Sequence, residues 1–470
     1  MNCGAPQSPT TRSIEPNERR VVGTDKAVGL ATFVWVLGIL LCLPLRAAAQ
    51  DAATGRLTLT QAVDLALKNN VGVLVAKTDI DEAAGTRARR LAALLPHASA
   101  DSFINRQNRN LAVAGLSIPN VPTIVAPYSF MDFRVSASQM LIDREAYHDW
   151  KASAKAEGAA ALSYQDIRDL VVRQAAGLYL ASQAGAAEAE AADARVTTSV
   201  ALEKLAGDQR DQGLATGIDV VRAQLQLARD RQNVLVVRNA YQNSLLLLAR
   251  FLGLGLGQPI ELAEPLMFHP TDTPIVEDAL RNALEARADY QALRAQRDAL
   301  DEQRQAARAR ALPKLAVGGD YGALGRSVGS LPGIGEIQAT VSISVFDRDR
   351  IGAEHEVAAR RQRIDEETAD LARGIEQELR KAILDLQSTE EQVRVADSAV
   401  DLATRELALA EDRFRNGVSD NIEVITAQAA LAQTRDERIA ALIRHADARM
   451  ALARARGVTE QTVSTPVHEP

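Results

Sequence analysis

Cysteine is almost missing. The 470-residue chain holds two, Cys3 and Cys42, both before residue 50. From residue 50 onward there is therefore no thiol for a disulfide, a thiolate metal site or a cysteine nucleophile. Aromatic residues reach only 4%, with two tryptophans, so the large anchors of a compact mixed core are scarce. Positive charge does not dominate either. The 54 Lys and Arg are outnumbered by 61 Asp and Glu, the formal net charge is -7, and no basic stripe with interleaved aromatics appears, which argues against a nucleic-acid partner. A nucleophile elbow, a phosphate loop and zinc-ligand spacing are all lacking. The histidines are scattered, and in the cluster Glu354-His355-Glu356 consecutive helical positions point in different directions. Gly253, Gly255 and Gly257 follow a helical segment and lack the βαβ setting of a dinucleotide site, so they read as a hinge. Neither catalysis, nor a cofactor, nor a bound metal is expected.

What is present is 47% hydrophobic and 24% charged residues, with a mean hydropathy of -0.11. Ala, Leu, Gln, Glu and Arg recur along most of the length, which points to long amphipathic helices. At the N-terminus, Arg19, Arg20 and Lys26 precede an apolar run from Ala27 to Leu45, followed by Arg46 and the triplet Ala47, Ala48, Ala49. The run is long enough to act as an anchor, but the small residues directly after it favour removal, so residues 1–49 are expected to be a signal peptide. Leu41 before Cys42 is not the small residue of a lipoprotein signal.

The chain is duplicated. The stretch from Gly213 through Asp219 to Gln224 returns as Gly417 through Glu423 to Gln428, an offset of 204 residues that holds to Gly253 and Gly457. Upstream, Ala66-Leu67 matches Ala283-Leu284 and Leu95-Pro96 matches Leu312-Pro313 at an offset of 217 residues. The first repeat is thus longer between Pro96 and Asp143. The expected domains are residues 50–253 and 254–457, each a short helix, a helix, two strands, a very long helix, a tight break and a long helix, with a polar, mobile tail at 458–470.

Leu379, Leu386, Val393, Val400, Leu407 and Phe414 recur every seven residues, with Ala382, Ala396, Ala403 and Ala410 three residues after their partners. That is a coiled-coil seam whose small residues let helices approach closely. Val220, Leu227, Val234, Tyr241 and Leu248 repeat it in the first half. Residues 145–211 would form a helix ~100 Å long. Ile337, Ala339, Val341, Ile343 and Val345 alternate with Gln338, Thr340, Ser342 and Ser344; Met131, Phe133, Val135 and Ala137 alternate with Asp132, Arg134, Ser136 and Ser138. Leu315, Val317 and Tyr321 share a face opposite Lys314 and Asp320. Strands are expected at about 97–108, 128–143, 314–322 and 336–347, the first alternating poorly, and helical hairpins at 145–252 and 350–456. A tilted strand of ~10 residues spans a bilayer. Four strands cannot close a barrel, and open edges in lipid leave N–H and C=O groups unpaired, so several chains must share one barrel. Leu111 to Pro127 reads as an external loop, and the segment to Thr273 as packing around the waist of the helices.

The opening Leu57-Thr-Leu-Thr-Gln-Ala-Val-Asp-Leu-Ala-Leu-Lys-Asn-Asn70, the Leu-Leu-Pro96 step into a strand, Val135-Ser-Ala-Ser-Gln-Met-Leu-Ile-Asp143 and the two Gly-containing breaks resemble the TolC outer-membrane efflux family over roughly residues 57–457. No single piece is specific; their order and duplication are. The resemblance implies a mainly α fold with a small β part: long antiparallel coiled-coil helices in two tandem repeats, and four transmembrane strands per chain in a shared trimeric β-barrel. It implies a homotrimer in outer-membrane lipid, with the helical part in the periplasm, acting as the passive exit duct of a tripartite efflux or type I secretion system. The implied partners are a periplasmic adaptor and an inner-membrane transporter.

Residue by residue, Gly213, Leu214, Gly417 and Val418 match the family's adaptor-docking positions. Glu423 matches an acidic ring at the tunnel mouth, and Thr426 stands where a second ring can occur. Asp219 matches a gate residue, but Phe414 replaces the Tyr whose hydroxyl the gate uses, and Ser419 replaces a basic residue. Closure would then rest on packing by Phe414 or on polar contacts of Asp420 or Asn421. The glycines also simply let the chain reverse, and Phe414 also continues the seam. The competing reading is a periplasmic coiled-coil adaptor or structural scaffold; an adaptor should show one hairpin between β-rich halves, and a scaffold leaves the alternating strands and the leader unexplained.

Overall fold

The computed structural model describes residues 56–464 except 117 and 328. The expected signal peptide therefore lies outside the described residues. Thr58 opens α1 (Leu59–Asn69) with a capping box: its hydroxyl accepts from the Gln61 N–H at 3.2 Å while its own N–H donates to Gln61 Oε1 at 3.1 Å. Asn70 caps α2 (Val71–Ala92) through the Gly72 N–H. There follow β1 (His97–Asn110), β2 (Ile124–Ile142), α3 (Arg144–Asp211) and α4 (Gly217–Phe251). The second half repeats the order with α5 (Val276–Ala286), α6 (Ala288–Ala309), β3 (Lys314–Gly325), β4 (Gly333–Ser342), α7 (Arg348–Arg415) and α8 (Asn421–Arg456).

Equivalent junctions are built alike. Asp143 caps α3 at φ -142°, ψ 98° and Asp347 caps α7 at φ -141°, ψ 98°, each accepting from an N–H three residues on. Both long helices have 68 residues, hence ~100 Å. A further pair of equivalents are Gly253 and Gly457. Both sit at positive φ, and a Cβ on either would press on the same place in its repeat, the Asn69 side chain at 2.7 Å or the Arg287 backbone at 3.0 Å.

The four strands form one antiparallel sheet in the order β1-β2-β3-β4, so the two hairpins join through β2 and β3. Among the described residues the outer edges of β1 and β4 have no partner strand. The register puts Ala100, Val135, Tyr321 and Gly335 on one face and Asp101, Arg134 and Gly322 on the other. The first face carries exposed Ile337 (88%), Tyr321 (72%), Val341 (71%) and Val135 (58%).

Some boundaries differ from the sequence expectation. β1 is a full strand despite its poor alternation, held by its long pairing with β2. β4 stops at Ser342, so Ile343 to Val345 continue the alternation without ladder partners. β2 begins at Ile124, so Pro127 lies inside a strand rather than a loop; it falls where the register slips between Gln107 and Arg109, a place that needs no N–H. The expected mobile tail instead starts with a short helix, α9 (Thr459–Ser464), with Thr459 and Val463 buried and Glu460 bonded to Arg168 at 2.7 Å.

The seam carries the packing of α7 on α8. Leu379, Leu386, Val393 and Phe414 are buried, as are Ala382, Ala396, Ala403 and Ala410, while Val400 and Leu407 are half-buried. Full burial of Leu379 or Leu386 contributes about 2–3 kcal/mol each. In the first hairpin, α1 lays Ala62, Val63 and Ala66 against Val172, Ala175, Tyr179 and Leu248. The segment after α4 ties the hairpins together. Leu57 pairs with Leu262, and Gln183 donates to Glu264 O at 2.8 Å. Further on, Leu266 and Phe268 pack against Val393 and Leu442.

Candidate functional site

The ends of the hairpins far from the sheet hold the residues singled out above. At each, a long helix stops in a glycine at positive φ, Gly213 at 76° and Gly417 at 69°. The turns close as Schellman motifs: Leu214 N–H reaches back to Gln209 O at 2.8 Å, and Val418 N–H to Arg413 O at 3.0 Å. A side chain other than glycine would strain this backbone, while the space around both glycines is open. Leu214 and Val418 follow, 59% and 69% exposed.

The two return helices start differently. Thr216 and Asp219 form a capping box on α4, the Thr216 N–H donating to Asp219 Oδ2 at 2.9 Å. This leaves Asp219 only 6% exposed, with Arg222 at 3.6 Å from its other oxygen. Asp420 caps α8 by accepting from the Ile422 N–H at 3.2 Å. Glu423, the equivalent of Asp219, turns outward to Arg413, with Nε to Oε2 at 3.2 Å. Both partners are half-exposed, and each has the charge its helix end favours.

Two buried amides stitch the tips together. Asn421 Nδ2 donates to Asp219 O at 2.7 Å, and Gln209 Nε2 donates to Phe414 O at 2.7 Å and Arg415 O at 3.3 Å. Phe414 is buried among Leu202, Ala206, Val220, Ala223, Val424 and Ala427, so it packs between hairpins. The structure thus brings Asp219, Phe414 and the α8 start into one contact region and leaves Glu423 outside it. Among the described residues, Gln209 Oε1, Asn421 Oδ1, Ser419 Oγ and both polar atoms of Gln428 are buried with no partner. Each unmet buried group costs about 1–3 kcal/mol, so this end of the molecule is poorly satisfied as it stands.

Sequence reasoning missed Gln209, although it falls seven residues after Leu202, whose burial it shares. It also missed a second set of stripes. Ile218, Val221 and Leu225 are exposed along α4, and Val395, Leu402 and Leu409 are exposed seven residues apart on α7. Among the described residues nothing covers them.

Residues 279–458 match the family model described as outer membrane efflux protein. The chain is 24% identical over 307 residues to the pyoverdine export outer membrane protein OpmQ of Pseudomonas putida, a match covering 64% of each protein. Among solved structures, the CmeC outer membrane channel of Campylobacter jejuni aligns with a TM-score of 0.75 at 16% identity, over 85% of this chain and 86% of that one. The outer membrane protein VceC of Vibrio cholerae aligns with a TM-score of 0.74 at 17% identity, over 85% and 96% respectively.

Proposed function

We propose that the chain is a TolC-like outer-membrane efflux protein and the exit duct of a tripartite efflux or type I secretion system, a reading supported by the match of residues 279–458 to the outer membrane efflux protein model and by the likeness to OpmQ. It is an outer-membrane protein, not an enzyme, and its helical part lies in the periplasm. The observation that carries the duct reading is the sheet: four strands, both outer edges without a partner among the described residues, and an apolar outward face. In lipid such edges must be paired, and three copies supplying four strands each close a twelve-stranded barrel. The stripe of Val395, Leu402 and Leu409 on α7 and the exposed Val221 and Leu235 on α4 support the same assembly, because a heptad stripe left bare among the described residues fits a neighbouring helix.

Substrate passes along the tunnel without bond chemistry. Gly213, Leu214, Gly417 and Val418 form the surface that meets a periplasmic adaptor, which is coupled to an inner-membrane transporter. Asp219, Phe414 and Asp420 hold the inner mouth, and the Glu423 carboxylates of three chains ring it and favour cations. The export of pyoverdine in the name of OpmQ is one task of such a duct; here the transporter sets the cargo.

The test joins edges. Ser99→Cys in β1 and Gln338→Cys in β4 are combined in the mature chain, which has no other cysteine, and treated with a short bismaleimide in outer-membrane fractions. Covalent dimers and trimers are expected. A product that stays monomeric at every linker length rules out the shared barrel.

A further inference from the structure

The sheet face opposite the exposed apolar side chains carries an unusual wall. The register sets its layers. Arg134 lies level with Asp101 and Gly322; one layer toward the helices, Ser136 lies level with Ser99 and Asp320, and Asp320 with Glu336. One layer outward, Asp132 is level with Phe103; beyond it Phe130 faces Asn105 and Tyr128 faces Gln107. Asp101, Asp132 and Asp320 therefore stand next to one guanidinium, with Glu336 one strand beyond Asp320.

Arg134 bridges two of them, Nη2 to Asp132 Oδ2 and Nη1 to Asp320 Oδ1, both at 3.1 Å. Gly322 makes the room, since a Cβ there would fall 2.2 Å from Phe133 O and 2.9 Å from Arg134 Cα. Asp132 is 6% exposed, yet its Oδ1 has no partner among the described residues. Bracing the wall needs Asp132 and Asp320 alone. Asp101 and Glu336 are surplus to that role: Asp101 accepts only from Ser99 Oγ at 3.3 Å, and Glu336 has no bonded partner among the described residues. Just outward, Phe103 and Phe130 meet edge to face with centroids 6.1 Å apart, and Tyr128 lies 6.2 Å from Phe130. In a chain with 4% aromatics, three on one wall beside surplus negative charge form a concentrated feature.

We propose that this wall is a selectivity segment for aromatic organic cations, with Asp101, Asp132, Asp320 and Glu336 supplying the attraction and Phe103, Phe130 and Tyr128 the ring faces. It rests on the shared-barrel reading, in which the wall repeats three times around a water-filled axis. Carboxylates lining a lumen with low-dielectric walls raise the local concentration of cations and repel anions. Ring faces add attraction for a cation that is itself flat and apolar, which a small inorganic ion exploits less. The segment stands at the far end of the long helices from Glu423, so the two act in series.

The full-length protein in planar bilayers under a KCl gradient supplies the test, with N-methylquinolinium and naphthalene-2-sulfonate as aromatic probes of opposite charge. The wild type is expected to prefer K+ over Cl- and to be blocked by the quinolinium at a concentration at least tenfold below that of the sulfonate. Asp101→Asn with Glu336→Gln, which leaves both Arg134 bridges intact, should lower the K+ preference and raise the blocking concentration of the quinolinium several-fold. Phe103→Leu should raise that concentration and leave the K+ preference alone. Equal block by the two probes, or an unchanged reversal potential in the double variant, overturns the proposal. Glu423→Gln is run in parallel: a wild type that never conducts defeats the duct reading itself, whereas a conducting protein in which only Glu423→Gln shifts selectivity defeats this segment alone.

Discussion

Asn421, at the first position of α8, donates its side-chain amide to the backbone carbonyl of Asp219 on α4 at 2.7 Å. The bond joins the starts of the two return helices, more than two hundred residues apart in sequence, and both residues are buried. Asn421→Ala removes the donor without adding bulk, and losing a buried hydrogen bond of this kind costs about 1 kcal/mol. Because the bond connects hairpins rather than stabilising either one, the loss should appear as a looser tip. Single-channel conductance should rise several-fold with only a small fall in melting temperature. An unchanged conductance would take this bond out of the closure of the mouth. Gln209→Ala, which frees the carbonyls of Phe414 and Arg415, should act in the same direction.

Glu423 and Arg413 are half-exposed at 3.2 Å, and such surface pairs contribute about 0–1 kcal/mol. Glu423→Gln should therefore leave stability alone. It should lower the K+ over Cl- preference measured by reversal potential, because the carboxylate faces away from the packed tip. A variant with wild-type selectivity would assign Glu423 to the surface pair only.

The duplication, the seam and the alternating strands were legible because they are periodic: burial demands a repeat of 3.5 along α7 and of 2 along β2 and β4, and the side chains obey it. Contacts between segments leave no such mark. Nothing near Asn421 announces that its amide meets Asp219, and its equivalent in the first repeat, Gly217, has no side chain to compare. Phe414 was legible as a seam residue, and burial places it there, whereas the missing Tyr hydroxyl said nothing of the two amides that bind the tips instead. The polarity of the α9 segment points to a tail, whereas its docking depends on Thr459, Val463 and Glu460 meeting distant surfaces.

Leu214 and Val418 are the exposed apolar residues that directly follow the tip glycines, so charging them should disturb binding and spare the fold. Leu214→Asp with Val418→Asp is expected to cut co-purification of the periplasmic adaptor at least tenfold, with trimer yield and conductance unchanged. Gly417→Ala is the contrasting case: the open space admits a methyl group, but φ of 69° strains it by about 1 kcal/mol, so it should lower stability before it lowers adaptor capture. Full adaptor capture by the double variant would place the docking surface elsewhere.

Arg454 joins the hairpins through Asp166, Asp289 at 3.4 Å and Asp169 at 3.8 Å. Asp169 is nearly inaccessible, and burial raises its pKa from the usual 3.8 to about 6 despite the attraction of Arg454. The folded protein thus holds this proton more tightly than the unfolded chain does. Below about pH 4 both states are protonated and burial of the carboxyl carries no charge penalty. As pH rises from about 4 to about 6 the unfolded chain releases its proton first, and the native state loses stability, by an amount on the order of 2–3 kcal/mol, before levelling off. Asp169→Asn keeps the shape and removes the titration, while Asp166 and Asp289 still face Arg454. Its melting temperature should therefore exceed that of the wild type at pH 7, with the gap closing on acidification to pH 4. A variant less stable at pH 7 would mean that the attraction between Asp169 and Arg454 outweighs the burial of its charge.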